Sequence, residues 1–467
     1  MVEDSFGYSY WLKITDGIEE YIKEQKSDHF KYNNIDFVYA FSRKVYFILV
    51  SRTLIKEKIK NAILNKEETL EIALDNKTIR KILELMYKNI QFKFLENKPK
   101  IEHIIEQKIV IGDINQEYDY LFIIHQTKFI RYFSHIYEAL DSCIFVLVNL
   151  SDDAIDLCKS KEYRYITVNY NYLNSSNICW DINGLTQDYD ISNLVLDKLN
   201  PKKIILPEGN IGIGEVYNLA AQSRRVGTIC IQQGWSPVCH IGFRNMHYDK
   251  FLLWGDKFKE LLQPYNCNQK FIVTGNHNLN SSEDNNTVDK GIGVFLQHYS
   301  GSIMFNKKEY DELIVFIYEI AIKYPLKKII IRKHPGYELE DYIIDKFKNF
   351  NNIEYMHSEE YTLNEVLRKI SISIAIHSTV LLESLAYNVI PFIFNNTAMP
   401  HYEPDISKNG LAVEVSNTTD GLGEITKIIN DKEYSAILVE NINKNKIKYF
   451  FESKENTIKN IIKEIHG

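Results

Sequence analysis

The sequence predicts an α/β protein of two successive doubly wound domains behind an α/β accessory region. Three observations lead there. Short uncharged apolar runs alternate with helical segments along two long stretches, the pattern of β-α-β units whose parallel sheet is covered on both faces. A polar, aperiodic stretch, Asn276 to Gly291 (NHNLNSSEDNNTVDKG), separates the two series as a linker would. The length of 467 residues exceeds what a single core usually holds.

Residues 1–105 make the accessory region. DGIEEYIKEQ, RTLIKEKIKNAIL and TIRKILELMYKNIQFKF have helical period, and FVYAF and KVYFILV read as strands between them. No catalytic motif falls here. The first doubly wound domain spans 106–276. It opens with the strand YLFIIH (120–125) and the helical FIRYFSHIYEAL, followed by CIFVLVNL (143–150), a helix around 152–160 and YITVNY (165–170). KKIILPEG (202–209), a helix from about Gly214 to Arg225, TICIQQG (228–234), DKFLLWG (249–255) and KFIVTG (270–275) complete it.

The second domain spans 290–445. It runs GIGVFLQH (291–298), helix 307–323, KKIIIRKHP (327–335), helix 339–349, NIEYMHS (352–358) and helix 362–370. ISIAIHSTVLLESLAYNVIPFIF (372–394), LAVEVS (411–416) and helices around 420–431 and 433–443 close it. Residues 446–467 form a Lys-rich amphipathic helix that either returns across both domains or lies on an anionic surface.

Composition narrows the function classes. A hydrophobic fraction of 45% and a charged fraction of 25% fit a soluble globular protein. The net charge of −7 argues against a nucleic-acid binder, which normally carries a basic excess. Six scattered cysteines without a CxxC pair fit reduced thiols in the cytoplasm and not a zinc site or disulfide framework. Charges spread from Met1 to Asp28 leave no secretory leader, and the apolar run Val45 to Val50 is far shorter than the ~20 residues of a membrane span. The expected location is the cytoplasm, with the C-terminal helix offering peripheral contact to the inner membrane face and residues 1–105 forming a cap or interaction layer, open to self-association or to a partner.

Chemistry concentrates at strand ends. Arg332-Lys333-His334-Pro335 follows an apolar strand, and Pro335 stops that strand with His334 at its tip, beside two cations that a phosphate would welcome. Two strands later, His377-Ser378-Thr379 opens a short helix, where hydroxyls and free N–H groups suit phosphate, and Glu383 lies one turn on. Gln297 ends the first strand of the same domain. In the first domain, Glu208 sits at a strand tip as a plausible general base, and Glu215 opens the next helix as a second acid. GIGE lacks a full GxGxxG and is not a dinucleotide fingerprint. Gln233, Trp235, His240, Arg244 and His247 lie in a polar, aromatic loop that reads as an acceptor platform with an exposed Trp. His240 and His247 have no HExxH-like spacing, so no metal is expected.

These motifs resemble the two-Rossmann (GT-B-type) glycosyltransferases. More narrowly, they are similar to bacterial surface-polysaccharide enzymes: capsule Kdo transferases, sialyl- and polysialyltransferases, and teichoic-acid glycerophosphotransferases. His334-Pro335 is similar to their HP motif, and His377-Ser378-Thr379 with Glu383 to their Ser/Thr motif and its following acid. The resemblance covers about residues 115–445. It implies that His334, Pro335, His377, Ser378, Thr379 and Glu383, with Arg332, Lys333 and Gln297 nearby, hold the donor nucleotide. It also implies that Glu208, Glu215 or His240 takes the acceptor's proton, and that Gln233, Trp235 and Arg244 face the acceptor. Glu208-Gly209 looks like the tail of the acidic-Gly motif, with Pro207 where a second acid often stands. TICIQQG is similar to a QHG segment but has Gln233 at the His position, which weakens the glycerophosphotransferase reading.

The implied function is metal-independent transfer of a sugar from a nucleotide-activated donor to a glycan or lipid-linked acceptor in surface-polysaccharide synthesis. A CMP-linked acidic sugar is favoured over a UDP-sugar, and no cofactor is needed beyond the donor. The alternatives are a CDP-glycerol- or ribitol-type polyol-phosphate transferase and a UDP-sugar 2-epimerase-like enzyme. The acceptor-like loop 235–254 speaks against the epimerase. A non-catalytic sugar-binding scaffold is the remaining reading.

Overall fold

The structure is a computed structural model describing residues 6–26, 28–74, 76–95, 110–111, 117–170, 182–236, 239–279, 290–299, 305–335, 337–358, 360–397, 403–450 and 454–467. The N-terminal region contains α1 (Phe6–Glu24), the ribbon β1 (Lys31–Tyr32) and β2 (Ile35–Asp36), and α2 (Val38–Ser51). After these come α3 (Thr53–Leu64), β3 (Thr69–Ala73), α4 (Lys77–Met86) and β4 (Gln91–Leu95). The two runs expected as strands, FVYAF and KVYFILV, form the single helix α2. Between Val38 and Val50 only Tyr39 is exposed. The helix therefore lacks the polar face that marks helical period in a sequence, and its aromatic and β-branched residues imitate a strand.

The first sheet contains β5 (Val110–Ile111), β6 (Tyr120–Ile124), β7 (Cys143–Val148), β8 (Tyr165–Asn169), β9 (Lys203–Pro207), β10 (Gly227–Ile231), β11 (Lys250–Leu253) and β12 (Phe271–Val273). Helices α5 (Lys128–Glu138), α6 (Asp152–Ser160), α7 (Ile182–Leu199), α8 (Gly212–Ser223) and α9 (Asp256–Leu262) connect them. The strand order is β12-β11-β10-β9-β6-β7-β8-β5, and every pairing except the antiparallel β5–β8 edge is parallel. The chain starts at β6, moves outward on one side, and returns on the other with β9. Its direction of growth thus reverses between β6 and β9.

The second sheet contains β13 (Gly291–Leu296), β14 (Ile329–Lys333), β15 (Ile353–Tyr355), β16 (Ile370–Ala375), β17 (Ile390–Phe394) and β18 (Val413–Val415). Its helices are α10 (Lys307–Lys323), α11 (Asp341–Phe347), α12 (Leu363–Arg368), the short α13 (Thr379–Glu383), α14 (Thr418–Asn430) and α15 (Lys432–Asn445). The order β15-β14-β13-β16-β17-β18 is wholly parallel and reverses between β13 and β16. The boundary expected at 105/106 and most of the linker expected at 276–291 lie outside the described residues.

The chain ends in α16 (Lys454–His466), and of the two places open to it, this helix takes the route back across the domains. Ile461 and Ile465 are fully buried in the same apolar cluster as Phe122 and Phe145, and Tyr120 Oη lies 2.9 Å from His466 Nδ1. The crossing segment passes so close to Gly255 that an added Cβ would stand 2.4 Å from the Lys448 carbonyl oxygen. The apolar face that would meet a membrane is used inside the protein. Among the described residues, no helix is long and apolar enough to cross a membrane.

The accessory region is docked on the first domain, and α2 crosses the start of α8. At Gly212 a Cβ would meet the Ala40 carbonyl oxygen at 3.3 Å, so glycine sets the approach of these helices. Arg43 on α2 is buried against Glu215 on α8 as an ion pair and donates from Nε to the Gly242 carbonyl (3.1 Å).

Candidate functional site

Strand register places the candidate residues. In the second sheet Leu296 pairs with Lys333 and Val294 with Ile374. Extending both registers puts Gln297 level with His334 on one side and His377 on the other. The three form a row across β14, β13 and β16, at the C-terminal tips that flank the reversal. Adjacent strands are about 4.8 Å apart, so His334 and His377 stand roughly 10 Å from each other with Gln297 between. His334 is anchored by its backbone N–H, which donates to the Leu296 carbonyl (2.9 Å).

The first sheet makes a matching row. Phe122 pairs with Ile205, and Pro207 with Ile231, so the extended registers place His125, Glu208 and Gln232 level on β6, β9 and β10. In doubly wound sheets a reversal point leaves a crevice at the C-terminal strand ends, where ligands bind.

Glu208 is held unusually. Its φ is +64°, and the Gly209 N–H donates to the Pro207 carbonyl (2.7 Å), closing a three-residue γ-turn with Glu208 at its centre. That turn is rare and strained, and an L-residue with a long side chain there costs about 1 kcal/mol or more. Desolvation raises the Glu208 carboxyl above the ordinary range, and Lys128, with Nζ 3.9 Å away at the start of α5, pulls it back down. Partial desolvation lowers the His334 imidazole across the cleft, and the same Lys128 charge adds to that. A cation from the first domain thus acts on both a carboxylate beside it and a histidine of the second domain.

Tyr132, one turn along α5, feels both Glu208 and Glu383. Its hydroxyl donates to the Gln232 carbonyl, and His277 Nε2–H donates to its own carbonyl (2.8 Å). The Gln232 side chain is tied to Trp254 N–H and to the Gly234 carbonyl. Burial alone pushes Glu383 up to about 8, so at neutral pH it carries its proton. Ser378 is buried at the N-cap of α13 and accepts from Val380 N–H (3.3 Å), while Thr379 is half-buried beside it. Burial and Lys128 also lower His125 to about 4, and its buried Nε2 has no hydrogen-bond partner among the described residues.

The two cations before His334 turn into the domain. Arg332 is buried and donates from Nη1 to the Met356 (3.0 Å) and Tyr361 (2.9 Å) carbonyls, and Lys333 pairs with Glu338 at 3.0 Å. Pro335 is exposed at the strand end.

The loop after β10 differs from its expected form. Trp235 is 8% exposed and borders a small cavity with His377 and Leu381, joining the two domains instead of standing in solvent. His240 stacks on Tyr46 of α2 (ring centroids 4.0 Å, 5° apart), and burial drives it down to about 3. Arg244 pairs with Glu19 of α1 (2.9 Å) and lies over Tyr265. His247 Nε2 binds Glu215 (2.8 Å), and Glu215 is fully buried with Arg43 as its main opposing charge. His240, Arg244, His247 and Glu215 therefore hold the accessory region to the first domain. Gln233 and Gly234 are half-buried at the end of β10, where a Cβ on Gly234 would meet nothing within 4 Å.

Lys128, Tyr132 and His125 were not singled out from the sequence. His125 was legible, since it ends the YLFIIH run just as His334 ends its own strand. Lys128 and Tyr132 carry no motif and depend on the helix that follows that strand.

No protein-family model matches the chain, and no curated protein matches it. Solved structures do. UDP-GlcNAc 2-epimerase from Neisseria meningitidis bound to UDP-GlcNAc is 15% identical with a TM-score of 0.52, covering 74% of this chain and 99% of that one. A putative UDP-N-acetylglucosamine 2-epimerase from Listeria monocytogenes is 12% identical with a TM-score of 0.54, covering 75% and 96%. S. aureus MnaA with UDP is 12% identical with a TM-score of 0.51, covering 74% and 95%. At these identities the likeness is one of fold. The chain has the two-domain GT-B architecture, with its candidate residues at the reversal point of each sheet.

Proposed function

We propose that the protein is an enzyme acting on a nucleotide-activated sugar, and that it transfers the sugar to a hydroxyl acceptor. The observation that carries this reading is the Lys128 bridge. One cation acts on a strained, desolvated Glu208 from one domain and on His334 from the other. In the proposed complex the donor's phosphates lie along the His334–Gln297–His377 row and the Ser378–Thr379 helix entrance. Lys128 offsets the charge that develops on the leaving phosphate, so no metal ion is needed. Glu208 takes the acceptor hydroxyl's proton, and its raised affinity for that proton brings it toward the working pH of a general base. Protonated Glu383 donates a hydrogen bond to a nucleotide hydroxyl or phosphate oxygen.

A UDP-sugar 2-epimerase is the second reading, and a specific observation favours it. The loop that spoke for an acceptor platform is largely used in docking the accessory region. Epimerisation needs one group to remove a proton and another to return it. Glu208 and Glu383, both near Tyr132, are two such groups, the first as the base and the protonated second as the acid. The motifs favour a CMP-linked acidic sugar as donor and a glycan or lipid-linked acceptor of a surface polysaccharide. Two of the solved structures reported above instead carry UDP-GlcNAc or UDP.

Screening CMP-, UDP-, GDP- and CDP-linked donors in deuterated water separates the readings. Nucleotide release that accelerates with acceptor supports transfer. Deuterium at sugar C2 without release supports epimerisation, and release from CDP-alditols alone supports polyol-phosphate transfer. If no nucleotide or donor raises the melting temperature or turns over, the enzyme reading fails.

A further inference from the structure

The backbone of the Glu208 turn is tied at three points. The Glu208 N–H donates to the Ile231 carbonyl of β10 (3.0 Å), and the Gly209 N–H closes the γ-turn on Pro207. The third tie is a side chain. Tyr248 Oη, from the loop before β11, donates to the Gly209 carbonyl (3.1 Å). An added Cβ on Gly209 would stand 2.8 Å from Cys230 Sγ and 3.3 Å from Tyr248 Cε2, so the turn is packed between that thiol and that ring.

Tyr248 is itself held in place. The Gln269 side chain accepts from its N–H (2.9 Å) and donates to its carbonyl (2.9 Å). Burial, and then the Glu215 charge, raise the phenol well above its ordinary range, so the hydroxyl keeps its proton. That proton has two acceptors within reach, the Gly209 carbonyl at 3.1 Å and Glu215 Oε2 at 3.5 Å. A bare carboxylate draws a hydroxyl proton more strongly than a peptide carbonyl does. Here the same Oε2 is ion-paired with Arg43 Nη1 of α2. Burial works against the Glu215 charge, but Arg43 and His247 outweigh it and hold the carboxyl below its ordinary range. The guanidinium thus engages the oxygen that competes for the Tyr248 proton, and the shorter contact goes to Gly209.

We propose that Arg43 and Tyr248 are positioning residues for Glu208, a role that rests on the reading of Glu208 as the base. Arg43 neutralises Glu215, Tyr248 then keeps its hydroxyl on Gly209, and the turn presents the Glu208 carboxylate in one orientation. The accessory region, which carries no catalytic motif, acts on turnover through this route.

The test uses the full chain, with steady-state turnover on the best of the CMP-, UDP-, GDP- and CDP-linked donors and calorimetric binding of the same donor. Tyr248→Phe keeps the ring and removes the hydroxyl. Its kcat is expected to fall about 10- to 100-fold, as for a displaced catalytic group, with donor Kd unchanged. Arg43→Met should lower kcat in the parent but no further in Tyr248→Phe, because both act through one hydrogen bond. Adding Glu215→Leu to Arg43→Met removes the competing acceptor and should restore kcat. Glu19→Gln, which loosens a docking contact off this route, should leave turnover unchanged. A readout without turnover comes from the strained turn. Glu208→Gly should raise the urea midpoint of the parent and raise it less in Tyr248→Phe, where the turn is free to relax. Full turnover by Glu208→Gln would remove the base and this role together. If Glu208→Gln is inactive, the base stands, and three results would each overturn the positioning role alone. These are full kcat in Tyr248→Phe, independent losses from Tyr248→Phe and Arg43→Met, and an equal midpoint change from Glu208→Gly in both backgrounds.

Discussion

The two sheets share a strand order around their reversal points but place different chemistry there. The first puts His125, Glu208 and Gln232 in its row, with a carboxylate on a strained turn at the centre. The second puts His334, Gln297 and His377 in its row, flanked by a hydroxylated helix entrance and a protonated Glu383. One row is built around a carboxylate on a strained turn. The other carries two imidazoles and an amide, and in the proposed complex it faces the donor's phosphates. The shared fold supplies the crevice, and the division of labour comes from which side chain each strand carries to its tip.

The comparison breaks most sharply at Glu208. Glu208→Gln keeps size and removes the base, so turnover on the best donor is expected to fall roughly 100- to 10,000-fold with nucleotide affinity unchanged. Glu208→Gly should lose the same activity yet gain up to about 1 kcal/mol in urea unfolding, because glycine accepts φ of +64° without strain. A Glu208→Gly protein that is both active and no more stable would remove the functional meaning of the turn.

The first domain has a second glutamate, Glu215, whose role in this comparison is structural. Arg43→Met leaves it as a buried carboxylate with its main counter-charge gone, at an expected cost of about 3–5 kcal/mol in chemical denaturation. Adding Glu215→Leu to Arg43→Met should recover most of that loss. If Arg43→Met unfolds no more easily than the parent, the accessory region is not held by this pair. On the donor side, His334→Ala should weaken nucleotide binding about ten- to a hundredfold, the value of a hydrogen bond to a charged group, with less effect on the rate of bound donor. Calorimetric titration with CMP, UDP and CDP checks this and names the nucleotide.

The parallel sheets and most of their helices were legible in the sequence because strands buried on both faces leave uninterrupted apolar runs. The helix expected over 307–323 is α10 to the residue. Strand ends were legible for the same reason, which is why Glu208, His334 and His377 stood out. Helix α2 was not, because its burial erases its period. Nor was the fate of the loop holding His240 and Arg244. Its polar and aromatic residues suit a ligand platform and a docking surface equally well. Only the position of α1 and α2, set by long-range packing of Tyr46 and Glu19, separates the two. Arg43–Glu215 joins residues far apart in the chain, and no local pattern announces it.

Glu383 offers the finest test of the contrast between the rows, because its effect is set by pH. Burial raises its carboxyl from 4.5 to about 8, so the folded state holds this proton more tightly than the unfolded chain does. Its contribution to stability is whole below about pH 4.5, declines as pH rises, and is fully lost above about 8. Glu383→Gln keeps the hydrogen-bonding outline of the protonated acid and cannot ionise. The variant should match the parent near pH 4.5 and exceed it by about 1–3 kcal/mol near pH 9, once the solvent reaching the half-buried carboxyl is allowed for. It should also keep nucleotide affinity at neutral pH and retain it at alkaline pH, where the parent weakens. If the parent's urea midpoint is flat from about pH 5 to pH 9 while the variant's is lower throughout, Glu383 is ionised in the folded protein, and the donor row would then carry a negative charge where a neutral acid is expected.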